Sequence, residues 1–258
     1  MRLLFVRHGD PDYEHDSLTE QGRREAQLLI PRFMKEEVEQ FYVSPLGRAQ
    51  QTASPTLAAL GRGAITLSWL QEFTARVDMN AHPELLDAFP DTRRREDGTW
   101  HHHIAWDVMP AYWTTDERCF DPERWRESYI AVNSDMCEAY DEATAGLDEL
   151  LAQYGYIREG RMYRTDHGRN VTLALFCHFG ITAIFLSHLW HVSPFVLLHG
   201  LAVAPTSVTE VVSEERAKGE VFFRANKIGD ISHLYAAGEQ PSFSARFCEV
   251  YENDWQRH

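Results

Sequence analysis

The apolar positions of this chain change period several times, and each change predicts an element. Arg2-Leu3-Leu4-Phe5-Val6 is a short, continuously apolar run, the pattern of a strand buried on both faces. From Leu18 to Met34 the spacing turns helical, with Ala26, Leu29, Ile30 and Phe33 three or four residues apart. Pro31 predicts a kink or split in that helix. Phe41-Tyr42-Val43 predicts a second strand, which leads through Ser44-Pro45 into a helix reaching about Leu60. Gly61 and Gly63 end the helix, and Ala64 to Leu70 predicts a third strand.

Residues 73 to about 123 break this rhythm. They hold several prolines, Arg93 to Arg95, His101 to His103, Trp100, Trp106, Tyr112 and Trp113, without a long period, and predict an insertion of short elements. A long amphipathic helix follows. Trp125, Tyr129, Val132, Met136, Tyr140, Ala143, Leu147 and Leu150 form one stripe, acidic residues face away from it, and Gly155 closes it. Val171 to Cys177 is another apolar strand, succeeded by an apolar helix to about Trp190; Ser207 to Ser213 and Glu220 to Ile228 predict two more strands. Strands alternating with helices predict an α/β fold, a mostly parallel sheet flanked by helices. The length of 258 residues suits one domain over residues 1–258 with a cap-like insertion at about 73–123.

Composition narrows the partners. Hydrophobic residues make up 44% and aromatics 12%, enough for a sizeable core, which excludes general disorder. With 25 Lys+Arg against 39 Asp+Glu, the formal charge is −14, which argues against non-specific attraction to nucleic acid or anionic membrane. A small anion in a locally positive pocket remains compatible with that balance. The four cysteines, Cys119, Cys137, Cys177 and Cys248, show no CxxC spacing and suit reduced thiols. No apolar stretch approaches the ~18 residues of a membrane span, and Leu3 to Val6 is too short for a signal peptide. A soluble, cytoplasmic protein is the expectation.

Ligands of parallel α/β sheets bind beyond the carboxyl ends of the strands. Arg7-His8-Gly9 directly follows the first predicted strand, Ser44-Pro45-Leu46-Gly47-Arg48 the second, and His178 the strand ending at Cys177. Two arginines, two histidines and several helix N-termini thus converge on one rim. Free N–H groups at helix starts favour an anion, and guanidinium forks match phosphate oxygens. The rim reads as a phosphoryl pocket.

These same residues carry a resemblance. Leu4-Phe5-Val6-Arg7-His8-Gly9 resembles the Arg-His-Gly signature of the histidine phosphatase superfamily, which includes the cofactor-dependent phosphoglycerate mutases. Leu18-Thr19-Glu20-Gln21-Gly22 resembles its first helix start, Ser44 to Ala53 its second motif, and His178 with Gly180 its third. The likeness spans about residues 2–72 and 165–235. It implies that His8 is the nucleophile that becomes a phosphohistidine, and that Arg7, Arg48 and His178 bind the phosphoryl oxygens. It implies no metal ion and no cofactor. The acid-phosphatase branch places an Asp after the second His, where this chain has Phe179; the mutase-like branch uses a Glu after the third strand, and Glu72 occupies that place. Glu72 is therefore the implied proton donor to the leaving oxygen.

One position departs from the pattern. Many relatives have a phosphate-contacting Asn six residues after the nucleophile, and here Glu14 stands there, in a segment that also holds Asp10, Asp12 and Asp16. That acidity favours a monophosphate whose remainder is neutral or cationic. The aromatics of the insertion suit a packed subdomain or a pocket for the organic part of a substrate, and adjacent histidines at 101–103 do not share one face as metal ligands do. The sequence reading is a metal-independent phosphatase acting on a small phosphorylated metabolite. A phosphomutase using the same intermediate, or a silent binding protein on the same scaffold, are its rivals; the natural substrate and oligomeric state stay open.

Overall fold

A computed structural model describes residues 1–244 and 249–253, so Cys248 lies outside the described residues. By contacts the chain falls into two units. One comprises Met1–Gln71, Arg164–Phe179 and Ala202–His258, the other Glu72–Tyr163 and Gly180–Leu201.

The first unit is built on strands β1 (Arg2–Arg7), β2 (Gln40–Val43), β3 (Ile65–Thr66), β4 (Thr172–Cys177), β5 (Val208–Ala217) and β6 (Glu220–Asp230), hydrogen-bonded in the order β3-β2-β4-β1-β5-β6. The pairs from β3 to β1 are parallel, and β5 and β6 add antiparallel partners, so the sheet is mixed, with its parallel half where the sequence placed the rim. Leu3, Leu4, Phe5 and Val6 are all buried, as a strand inside a two-sided sheet requires. Each such side chain contributes roughly 1.5–3 kcal/mol by leaving water.

Two helices follow β1 and β2. Helix α1 (Glu20–Leu28) starts at Thr19, whose hydroxyl accepts from the Gly22 N–H; such a cap is worth about 1 kcal/mol. The helical run splits at Leu29 and resumes over Ile30–Phe33 with Pro31 in the first turn, as the proline predicts. Helix α2 (Gly47–Leu60) ends at Gly61, which takes the left-handed conformation at φ +61°. Leu4, Val6, Phe33, Phe41 and Phe176 share one core cluster with Ala49 and Ala53 of α2.

Two predicted elements come out differently. The third strand shrinks to Ile65–Thr66, both exposed, and gives way to a 3-10 turn at Ser68–Leu70. The long helix of the second unit, α3, runs only from Met136 to Gln153. The residues before it form a 3-10 turn, Arg124–Glu127, and a separate short helix, Tyr129–Val132, capped by the Ser128 hydroxyl. Tyr129 and Val132 therefore leave the apolar stripe and are exposed, while Met136, Tyr140, Ala143, Leu147 and Leu150 stay buried. Residues 73–123 form short turns, strands and one four-residue helix, as their lack of period predicts.

The second unit also holds most of helix α4 (Phe179–Trp190), apolar on all sides and buried from Gly180 to Ser187. Trp125 packs against Tyr140 and Phe195, with ring centroids 5.0 Å and 6.4 Å away. Among the described residues no helix is long and apolar enough to cross a membrane.

Candidate active site

Strand register brings the first four predicted residues together. In the parallel pair β1–β4, Arg7 stands opposite Cys177, so His8 and His178 each lie one residue past the end of adjacent strands. Val43 stands opposite Phe176 on the other side of β4, which places Ser44 at the same level. Backbone bonds carry the register past the strands: His8 N–H donates to the Cys177 carbonyl and Ser44 N–H to the Phe176 carbonyl. The imidazole centroids of His8 and His178 are 5.2 Å apart.

His8 is 2% exposed, and its Nδ1 lies 2.7 Å from the Gly9 carbonyl oxygen. A carbonyl only accepts, so Nδ1 carries the proton and Nε2 keeps the lone pair. Burial pushes the His8 pKa well below its ordinary value; the Arg7 charge and, more weakly, Arg48 act in the same direction against the Gly9 bond. The ring is therefore neutral near pH 7, in the tautomer that leaves Nε2 available as a nucleophile.

His178 is fully buried, with Nε2 2.7 Å from the Ser44 hydroxyl. Burial, then coupling to the neighbouring His8 and the charges of Arg48 and Arg7, hold its pKa well below the ordinary value. Arg7 is anchored through Nη1 to the Val203 carbonyl and through Nη2 to the Ser244 carbonyl. Arg48, the second residue of α2, is 8% exposed and pairs with Asp16 at 2.6 Å. Thr52 ties the loops together: its hydroxyl donates to the Arg48 carbonyl and accepts from the Gly9 N–H. Two guanidinium groups, one of them paired with Asp16, and the start of α2 thus cluster with the two histidines in a largely buried setting, where electrostatic interactions are strengthened.

Glu72 belongs to the second unit. Its Oε1 accepts from the Phe73 N–H at 2.8 Å and from the Ile181 N–H at 3.0 Å, in the first turn of α4. Gly180 makes room for it, since a Cβ there would lie 2.7 Å from Oε1. Trp106 donates from Nε1 to the Phe73 carbonyl and so fixes the neighbouring turn. Next to Trp106, burial and then the Glu72 charge push the Asp107 carboxyl up to about 6.

Sequence reasoning missed Ser44, Thr52, Asp16 and Asp107 as members of these clusters. Ser44 and Thr52 lay inside the recognised second motif, and their hydroxyls were the available signal. Glu14, at the expected Asn position, is exposed, and Asp16 reaches Arg48 instead. Of the histidine run, His102 pairs with Asp78 at 3.5 Å and His103 packs on Phe89 with centroids 5.0 Å apart. No group of three or more His, Cys, Asp or Glu suited to a metal ion occurs among the described residues.

Comparison with known proteins bears on the fold and on the N-terminal segment. Residues 3–111 match the histidine phosphatase superfamily (branch 1). No curated protein sequence matches the chain. Among solved structures, mycobacterial glucosyl-3-phosphoglycerate phosphatase in complex with inorganic phosphate is similar at 16% identity and a TM-score of 0.57, over 90% of this chain and 98% of its own. A phosphoserine phosphatase mutant from Entamoeba histolytica, in complex with phosphoserine, shares 15% identity and a TM-score of 0.57 over 90% of this chain and 98% of its own. The alpha-ribazole phosphatase from Shigella flexneri shares 17% identity and a TM-score of 0.52, over 89% of this chain and 96% of its own. At these identities the structural likeness establishes the fold, and the sequence match ties residues 3–111 to the histidine phosphatase superfamily.

Proposed function

We propose that this protein is a phosphatase that hydrolyses a small phosphomonoester through a phosphohistidine on His8. The observation that carries the reading is the state of His8: buried, neutral and hydrogen-bonded from Nδ1, with its ring beside that of His178 and within the electrostatic reach of Arg7 and Arg48. In the first step Nε2 attacks phosphorus in line, an N–P bond forms and the P–O bond to the leaving group breaks. Glu72 gives its proton to the departing oxygen. In the second step water attacks the phosphohistidine, the N–P bond breaks, and Glu72 takes the water's proton, which restores the starting state. Arg7, Arg48 and His178 bind the phosphoryl oxygens throughout.

The charge supplied by the guanidinium groups fits chemistry without a metal ion, and a cytoplasmic location fits four cysteines spaced far apart without a CxxC pair. The structural relatives are phosphatases for phosphoserine, glucosyl-3-phosphoglycerate and alpha-ribazole substrates, as their names state, which fits a small phosphorylated metabolite. A panel of phosphometabolites in EDTA, with products identified, tests the reading. Release of inorganic phosphate, undiminished by EDTA, is the expected result. Transfer of the phosphoryl group to a second metabolite, or loss of activity in EDTA that added metal restores, contradicts it.

A further inference from the structure

Asp16 occupies two donors at the phosphoryl pocket. Its Oδ1 accepts from Arg48 Nη1 at 2.6 Å, and its Oδ2 accepts from the Gly47 N–H, the first of α2, also at 2.6 Å. The contact is built into the backbone. Asp16 holds a left-handed conformation, φ +44°, which is uncommon for a residue with a side chain. A Cβ on Gly47 would lie 2.2 Å from the Asp16 carbonyl oxygen, so only glycine allows this approach. From another side, the Tyr13 ring lies under the guanidinium, 5.4 Å from the Arg48 Cζ to the ring centroid.

The way Asp16 grips Arg48 matters for a ligand. A guanidinium is planar, and its Nε and Nη2 hydrogens form one fork while Nη1 lies away from it. Asp16 takes Nη1. Nε is buried with no hydrogen-bond partner among the described residues, an unmet donor on a residue more than nine-tenths buried. Such a donor costs stability until something accepts from it, and two phosphoryl oxygens match the fork.

Charge gives the second consequence. At contact range the donors of Arg48 remain available, but from several ångströms away the Asp16–Arg48 pair is close to neutral. A second anionic group on a substrate gains little attraction from that pair. Nearby, Asp12 is paired with His15 and the Asp10 carboxylate accepts from the Thr19 hydroxyl, while Glu14 is exposed on the same loop.

Resting on the phosphatase reading above, we propose that Asp16 is a positioning and specificity residue. It holds Arg48 by Nη1 so that the Nε–Nη2 fork receives the phosphoryl group, and its negative charge selects phosphomonoesters whose remainder carries no second anion. This assigns a substrate class, monophosphates with a neutral or cationic remainder, to a side chain outside the recognised motifs.

The test compares glycerol 3-phosphate with 3-phosphoglycerate, which differ by a carboxylate in place of a hydroxymethyl group. Wild type, Asp16→Asn and Asp16→Ala are assayed with both as substrates, and with both as inhibitors of p-nitrophenyl phosphate hydrolysis where turnover is slow. Wild type is expected to favour glycerol 3-phosphate. Asp16→Asn, which keeps an acceptor for the Gly47 N–H, should shift the ratio of kcat/KM (or of inhibition constants) roughly fivefold toward 3-phosphoglycerate, mainly through KM. Asp16→Ala should show the same shift and in addition lower kcat for p-nitrophenyl phosphate, because Arg48 loses its hold. Loss of folding would not produce a shift in ratio, and circular dichroism checks the fold. A wild-type preference for 3-phosphoglycerate, or an unchanged ratio in both variants, overturns the assignment alone. No hydrolysis of any of the three esters by wild type overturns it together with the phosphatase reading.

Discussion

The His8–His178–arginine cluster, proposed to bind the phosphoryl group, and the carboxylate cluster are held by different kinds of structure. His8 and His178 sit one residue beyond two paired parallel strands, and Arg48 sits in the first turn of a 14-residue helix. Glu72 and Asp107 sit on the second unit, one just before an irregular segment and the other at the end of a three-residue 3-10 turn. The first cluster is fixed by ladder hydrogen bonds that run the length of the sheet. The second lies among irregular segments, tied by bonds from the Phe73 and Ile181 N–H groups to Glu72 and from Trp106 Nε1 to the Phe73 carbonyl. A nucleophile and an anion pocket need exact mutual placement, which rigid strand ends provide. A proton donor needs a tuned environment, and short elements can vary that environment without disturbing the sheet.

The comparison can be broken most severely at His8. His8→Ala should lower kcat/KM for any phosphomonoester by roughly 10⁴-fold or more, because the covalent route is lost. A much smaller loss would mean that the strand-end cluster only binds. Glu72→Gln comes next. It should cost about 10²–10⁴-fold with alkyl phosphates and far less with p-nitrophenyl phosphate, whose leaving group needs no proton. Equal losses on both would remove Glu72 from the acid role. Ser44→Ala takes a hydroxyl from His178, and steady-state kinetics should show a loss of up to about tenfold, the worth of one hydrogen bond.

Asp107 gives the smallest effect and the sharpest contrast between the clusters. Its folded pKa of about 6 lies above the ordinary 3.8, so the folded state binds this proton more tightly than the unfolded one. Its contribution to stability is greatest below pH 3.8 and falls as pH rises toward 6. Asp107→Asn should therefore raise Tm by about a few degrees at pH 8 and leave it nearly unchanged at pH 3.5. A pH-independent shift in thermal melts would show that the charge of Asp107 is not what the site tolerates at a cost.

The same contrast explains what could be read from the sequence. Leu3 to Val6, Phe41 to Val43 and Leu173 to Cys177 are dense apolar runs, so their strands, and the residues just past them, were legible, as were Arg7, His8, Arg48 and His178. The spacing of Trp125, Tyr129 and Val132 predicts an earlier start for the long helix; Ser128 and Asn133 interrupt it with a cap and a non-helical turn that the apolar count does not register. The apolar run from Ala64 to Leu70 predicts more strand than forms, because only Ile65 and Thr66 pair, at the edge of the sheet. Asp16 was out of reach for another reason. Its partners are 31 and 32 residues away, and the left-handed backbone that delivers its carboxylate leaves no mark in the apolar pattern. Gly47 at a helix start was the one trace of that close approach.

The central claim is that His8 becomes phosphorylated. Wild-type protein mixed with excess p-nitrophenyl phosphate, denatured within milliseconds in alkaline detergent and digested, should yield a phosphorylated peptide containing His8. The modification should survive alkali, disappear in acid, and be absent from His8→Ala. A wild-type protein that turns over the substrate without that peptide, or a label found on another residue, would contradict the account.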